Sequence, residues 1–498
     1  MKQEGFIRSP IFLLSILILI TLFSRVCFFE HYFYGYDSVN YALGVIDYSL
    51  ENTRPHLPGS ILFVKSLEVI NVFTNNIHLS FLILVNIFSI LATLFSFILL
   101  NRICRNLNTA ALLTIFLIFN PMVWFYSSVT EIYVFDWFFS VLVLYLSGNK
   151  KSIYWLPFVI AIGAGFRPSS GVFLLPFYFF LVFKSVDVDW KKLLLFWSLA
   201  IISFLGWFIP LVSNVGGIKE YVELFNSNNP MEQISFLQNI FRLSSYSIYF
   251  VIPFIILSIF GSKNKITKEF GLLVIKILFL ILPALIYFIF FHYSKGYALL
   301  IVTPIVLLVG IQLGNRNNTK IITTAIIFEV LIFLFLPSKH SSIDSKLKPS
   351  VRESEIWEIW LDRTFSEYSL TLHGINTRDS EIDNVKSIFV DCNDSNVYLG
   401  PLLSHLGRPL QYEFPNKKIF SLSFKDINEY IQFNKLVVKK VSRYNSNMNS
   451  VLLLRRNLYE KYFSQYDIHI KIENLVSLRV NENLFNDFQD ISNSHFVR

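Results

Sequence analysis

The side chains with the clearest chemical capacity lie between residues 34 and 59. Asp37 follows Tyr36 and precedes Ser38, Val39, Asn40 and Tyr41. A carboxylate at a membrane–water boundary could act as a general base on an acceptor hydroxyl or amine. Aspartate is also a preferred helix N-cap, and a helix is expected to start here, so both roles stay open. Farther on, Arg54, Pro55, His56, Leu57, Pro58 and Gly59 read as a rigid bend. His56 could bind a metal or a substrate, or simply be hydrogen-bonded.

Other candidates are scattered. Glu131 and Asp136 stand in an otherwise apolar run, where ionisable groups are costly and often functional. Glu131 is expected at the outer boundary, within reach of water. Asp136, about one and a half turns deeper, is either functional or a buried structural carboxyl. Glu329 has the same ambiguity in the last apolar run. Arg167 and Lys295 suit a phosphate or pyrophosphate group at headgroup depth, with Tyr293 and Tyr297 adding hydroxyls. Both cations could instead snorkel toward lipid headgroups. The cysteines Cys27, Cys104 and Cys392 fit no metal or redox spacing.

The elements that must position these groups follow from hydrophobicity. Of 498 residues 53% are hydrophobic and 16% charged, with 52 phenylalanines, which leaves too little polar surface for a soluble chain. Apolar runs near the thickness of a bilayer core predict membrane helices over 11–29, 79–100, 109–126, 131–147, 153–166, 171–183, 193–213, 246–260, 271–291, 297–313 and 320–336. The expected fold is therefore an all-α polytopic membrane protein of about eleven transmembrane helices, with a C-terminal soluble α/β domain. The net charge of +8 falls mostly in short loops, so it argues for topology and against nucleic acid as a partner. Lys2, Arg8, Arg102, Arg105, Lys150, Lys151, Lys184, Lys191, Lys192, Lys263, Lys265, Lys268, Arg316 and Lys320 share one side if the N-terminus is cytoplasmic. The longer opposite loops hold only Arg54, Lys65, Arg167, Lys219, Arg242 and Lys295. This scheme requires a helical hairpin bent at Arg167–Gly171, because one continuous helix there would invert every later loop.

The first outside loop spans 30–78. Within it Val39, Leu43, Ile46 and Leu50 form one stripe, and Asp37, Asn40, Tyr41, Gly44 and Asp47 the opposite one. That pattern predicts an amphipathic helix on the membrane surface. The chain is expected to divide into a membrane domain, 1–337, and an extracytoplasmic domain, 338–498. In the latter, strands are expected at 387–390, 410–414, 435–441 and 467–472, and helices at 396–406, 425–433 and 450–464. No signal-peptide cleavage site is read after the first apolar run.

Taken in order, five motifs resemble those of GT-C superfamily membrane glycosyltransferases, in the protein O-mannosyltransferase and aminoarabinose-transferase branch. They are Tyr36-Asp37-Ser38; Pro55-His56-Leu57-Pro58-Gly59; Asn120-Pro121-Met122-Val123-Trp124 with Glu131; Gly165-Phe166-Arg167-Pro168-Ser169; and Lys295-Gly296-Tyr297 leading to Thr303-Pro304. The resemblance spans residues 1–336. It implies an inverting enzyme of a plasma (inner) membrane, moving a hexosyl or pentosyl group from a polyprenyl-phosphate carrier to a glycan, lipid or protein acceptor on the extracytoplasmic face. Asp37 would be the base; Arg167, Lys295 and Tyr297 would hold the lipid phosphate; Tyr41, His56 and Glu131 would line the substrate site. Relatives often carry adjacent acids in the first loop, whereas Asp37 is followed by Ser38, so a divalent metal is conceivable but has no assigned ligands. Two other classes compete: a transporter or flippase of lipid-linked sugars, which commonly shows internal repeats that are not seen here, and a scaffold whose external domain recruits partners.

Overall fold

The computed structural model describes residues 9–104, 106–184, 189–227, 249, 257, 268–290, 295–313, 318–338, 365, 369–391, 396–400, 403, 406–422, 427–430, 438–441, 450–473, 475–479 and 484. Most of the span expected at 246–260 lies outside them, as do Tyr293, Cys392 and several basic loop residues; of Lys295 only the backbone is described. The chain forms two compact units. One contains residues up to Phe29, Leu57–Pro337 and Leu370–His373; the other contains Glu30–His56, Ser338–Ser369 and Gly374–Arg498. The first loop therefore contributes its opening half to the unit built by the C-terminal residues.

The first unit is helical: α1 (Pro10–Val26), then α3 (Ile61–Thr74) after the α2 segment of the other unit (Tyr36–Ile46), α4 (Ile77–Ile103), α5 (Leu107–Phe119), α6 (Pro121–Tyr126) and α7 (Tyr133–Leu146). There follow α8 (Leu156–Phe166), α9 (Pro168–Lys184), α10 (Trp190–Ser213), α11 (Ile218–Ser227), α12 (Lys268–Phe290), α13 (Leu299–Leu313) and α14 (Thr319–Phe335). Among the described residues four helices are long and apolar enough to cross a membrane, and further apolar helices of 10–17 residues accompany them. The outer helices α10 and α12 expose Leu194, Leu195, Ile201, Ile202, Leu278, Leu282 and Ile286. Such a surface is stable only against lipid. Helix α7 is the opposite case, with Val134–Val141 buried without a break.

One expected span is interrupted, and an expected bend between two others is present. The 109–126 run is two helices, because Pro121 cannot donate a backbone hydrogen bond and Asn120 leaves the helical conformation. The Asn120 amide donates to the Glu329 carboxyl at 2.9 Å, so Glu329 is tied to that break. The bend is the expected hairpin: Arg167 is extended between α8 and α9, which pack on each other. A Cβ on Gly171 would meet that of Ala164 at 2.8 Å, so the turn needs a glycine for this close approach. The Arg102 guanidinium at the end of α4 lies 4.6 Å from the Tyr145 ring of α7, and the Asp189 N–H before α10 donates to the Tyr154 hydroxyl. The 30–78 segment is not all loop, since α3 occupies much of its second half.

The second unit centres on a seven-stranded sheet in the order β4-β3-β2-β1-β5-β7-β6. Its strands are β1 (Asn396–Leu399), β2 (Lys418–Leu422), β3 (Ile427–Tyr430), β4 (Val438–Val441), β5 (Ser450–Arg455), β6 (Ile468–Ile472) and β7 (Leu475–Arg479). β1 is parallel to both β2 and β5, and the other pairs are antiparallel. Helices α15 (Leu372–Asp391) and α16 (Gly407–Glu413) supply Ile382, Val385, Phe389 and Leu410 to the core against Val397, Ile419 and Leu453.

The expected α/β class holds here, while most of its elements change type. Residues 387–390 end α15 instead of forming a strand, because Ile382, Val385 and Phe389 continue a helical stripe into the core. The helix expected at 396–406 begins as β1, and the strand expected at 410–414 lies largely in α16. The helix expected at 425–433 contains β3, and that at 450–464 opens as β5. All six residues of β5 are buried, and a strand covered on both faces loses the alternation that identifies it. β4 and β6 match expectation.

Candidate functional site

Helix α2 begins after Gly35, which is its N-cap, so the capping role for Asp37 does not hold. Asp37 lies in the first turn, where the helix dipole favours a carboxylate, and its side chain is 53% exposed. The expected picture of α2 as a surface helix with a polar side facing water is also corrected. Val39, Asn40, Tyr41, Leu43 and Gly44 are all buried. The side bearing Tyr41 and Gly44 receives the Arg54–His56 segment. A Cβ on Gly44 would stand 3.0 Å from Pro55 Cδ, so a larger residue would push that segment away by a few tenths of an ångström.

That approach brings His56 to the helix. Its Nδ1 is 3.6 Å from Asp37 Oδ1, and its Nε2 is 3.5 Å from the Tyr41 hydroxyl. The first distance exceeds a hydrogen bond, and apo catalytic pairs are commonly this loose. The His56 and Tyr41 rings meet edge to face at 5.0 Å. Arg54 fixes the segment: its backbone bridges Ser49 in both directions, and its buried guanidinium pairs with Asp47 at 2.9 Å. Asp47, Arg54 and Gly44 are thus supports for the trio Asp37, Tyr41 and His56.

In the helical unit a buried carboxylate meets a guanidinium. Asp136 in α7 is fully buried, pairs with Arg167 at 2.7 Å, and accepts a hydrogen bond from the Ser170 hydroxyl in α9. Arg167 sits 4.1 Å from the Tyr133 ring and 4.6 Å from the Tyr297 ring, within cation–π range of both. Gly296 lies flat against Tyr133, leaving no room for a side chain. Tyr297 also stacks on Phe288 at 5.7 Å. Arg167 is therefore held by protein partners and does not snorkel toward headgroups. Asp136 is the buried partner that holds it.

The sequence-nominated residues thus separate. Asp37, Tyr41 and His56 come together in one unit, and Arg167 and Tyr297 in the other. Glu131 is half-buried in the turn before α7. Tyr133 and Ser170 were missed by sequence reading; each lies within a few residues of a nominated ionisable group, and that proximity was the available signal. Among the described residues no three histidine, cysteine, aspartate or glutamate side chains converge.

No protein-family model and no curated protein sequence matches the chain. Two solved structures are similar over almost its whole length. The crystal structure of ArnT from Cupriavidus metallidurans in the apo state covers 95% of this chain and 98% of its own, with TM-score 0.55 and 11% identity. The same protein bound to undecaprenyl phosphate covers 97% and 99%, with TM-score 0.50 and 10% identity. At this identity the likeness is one of fold: the chain shares the fold of ArnT, a polytopic helical membrane part with a C-terminal α/β domain.

Proposed function

We propose that the protein is a membrane glycosyltransferase that moves a sugar from a polyprenyl-phosphate donor to an acceptor on the extracytoplasmic face. The observation that carries this reading is Asp37, an exposed carboxylate in the first turn of α2 with His56 beside it, in a fold shared with ArnT. The structure of that protein with undecaprenyl phosphate supports the donor class.

In the reaction Asp37 takes the proton from an acceptor hydroxyl or amine. The freed lone pair forms the new bond to the anomeric carbon, and the bond from that carbon to the phosphate oxygen breaks. Its electron pair leaves with the polyprenyl phosphate, and the anomeric configuration inverts. Arg167, Lys295 and Tyr297 are the proposed holders of the leaving phosphate, where cations and hydroxyl donors stabilise the developing charge. Tyr41, His56 and Glu131 contact substrate. The protein sits in the plasma (inner) membrane with its N-terminus cytoplasmic, as the distribution of lysine and arginine supports. The acceptor is a glycan, lipid or protein.

The test is deletion of the gene, followed by mass spectrometry of surface glycans and envelope proteins. Rescue strains carry wild type or Asp37→Asn at equal membrane levels. Loss of one sugar that wild type restores and Asp37→Asn does not is the expected result. Full rescue by Asp37→Asn removes Asp37 from the chemistry.

A further inference from the structure

The C-terminal domain has no role in the chemistry above, yet it shares a unit with Asp37. The segment leading into α2 is fastened to it at successive residues. The His31 backbone N–H donates to Asp379 at 2.9 Å, and the Tyr32 hydroxyl donates to Asp383. Lys386 stands 4.5 Å from the Tyr32 ring, and Arg378 stands 4.4 Å from the Tyr34 ring. Asp379, Asp383 and Lys386 recur at i, i+4 and i+7, so one face of α15 grips this segment. Phe33 packs edge to face on Tyr412 of α16 at 5.0 Å.

The last fastening adjoins the proposed base. Tyr32 and Tyr36 pack against the domain's hydrophobic core. Arg408 of α16 is fully buried, its guanidinium donates to Gln411 at 2.6 Å, and it lies 5.8 Å from the Tyr36 ring. Burial holds the Tyr36 hydroxyl above its usual pKa, with the Arg408 charge pulling it down and the Asp37 charge pushing it up. Tyr36 is therefore in the field of both groups. A surface loop has no need of a buried arginine, and burying this charge is costly unless it is compensated.

We infer that the C-terminal domain is the positioning element for Asp37, and that Arg408 is a positioning residue acting through Tyr36 on the first turn of α2. The domain is then an obligate part of the transferase rather than a recruitment module. This rests on Asp37 being the base. A displacement of about 1 Å at such a group can cost about 10²-fold in rate.

The test uses full-length protein in nanodiscs and in the deletion strain. Arg408→Met, Arg408→Lys and Tyr36→Phe are compared with wild type and Asp37→Asn. Amide exchange is read over 30–46, with 450–479 and 77–146 as internal references. For Arg408→Met the expected result is about tenfold faster exchange confined to 30–46, and about 10²-fold less of the restored sugar. Arg408→Lys and Tyr36→Phe should fall in between. Should Arg408→Met fail to accumulate, Gln411→Met, which removes one partner of the guanidinium, replaces it with the same direction of change and a smaller size. Unchanged exchange over 30–46 overturns the inference, as does faster exchange with full sugar transfer. Faster exchange over 450–479 as well marks a merely structural role and also overturns it. If Asp37→Asn transfers sugar normally, the functional reading fails instead, and the exchange data still decide whether the clamp exists.

Discussion

Two carboxylates in this molecule, each beside a basic side chain, serve opposite ends. Asp37 and His56 are 3.6 Å apart, and their side chains are 53% and 30% exposed. Asp136 and Arg167 are 2.7 Å apart, and theirs are 0% and 7% exposed. A loose, solvated carboxylate keeps its lone pairs available to a substrate proton. A tight, buried one spends them on its partner, and Ser170 takes part of what remains. Access, more than residue type, separates a candidate base from a brace.

The comparison can be broken or sharpened by substitution. The largest effect is expected at Asp37: Asp37→Asn should lower sugar transfer by 10²- to 10⁴-fold, the usual contribution of general base catalysis, with about normal membrane levels. Assay of restored glycan against protein level checks this. At the second pair the pattern reverses. Asp136→Asn leaves a buried arginine charge and should cost about 3–5 kcal/mol, seen as loss of folded protein by size-exclusion chromatography. Asp136→Leu with Arg167→Met should recover most of the folded yield, because an apolar pair of similar volume removes both charges together. The double variant should remain inactive if Arg167 holds the leaving phosphate. Full activity in it withdraws that role.

A smaller, pH-dependent effect is expected at Asp379. Burial, with Glu30 nearby, raises its carboxyl to about 7, while the His31 and Tyr32 N–H groups oppose the rise. A carboxyl raised in the folded state stabilises most when protonated. Stability of the second unit should therefore fall as pH rises from about 4 to about 7, then level off. Asp379→Asn should flatten that slope in thermal unfolding; an unchanged slope assigns it to other groups. The smallest effect is expected at Gly44. Gly44→Ala gains about 1 kcal/mol of helix propensity and loses a similar amount by crowding Pro55. Stability should barely change, while displacement of His56 should lower transfer a few-fold.

Much of the fold was legible because the bilayer imposes it. Apolar runs of bilayer length and basic loops are composition-level signals that survive without any partner. The hairpin at Arg167 was legible for the same reason, since proline and glycine act locally. The C-terminal domain was legible only in class. Whether Val451–Leu454 is helix or strand depends on what covers each face, and residues far along the chain decide that.

The site shows the same division. The sequence by itself determined which groups are present: an acid before a histidine-containing bend, and acids and cations stranded among apolar residues. Tertiary structure decided what each is for. Gly44 admits Pro55 and so sets His56 beside Asp37, and Arg167 meets Asp136 across three helical segments. Arg408, far along the chain from Tyr36, reaches it only in the folded unit. Residue type fixes the chemistry a group can do, but solvation and partners fix whether it does it, and both arise only when distant segments pack.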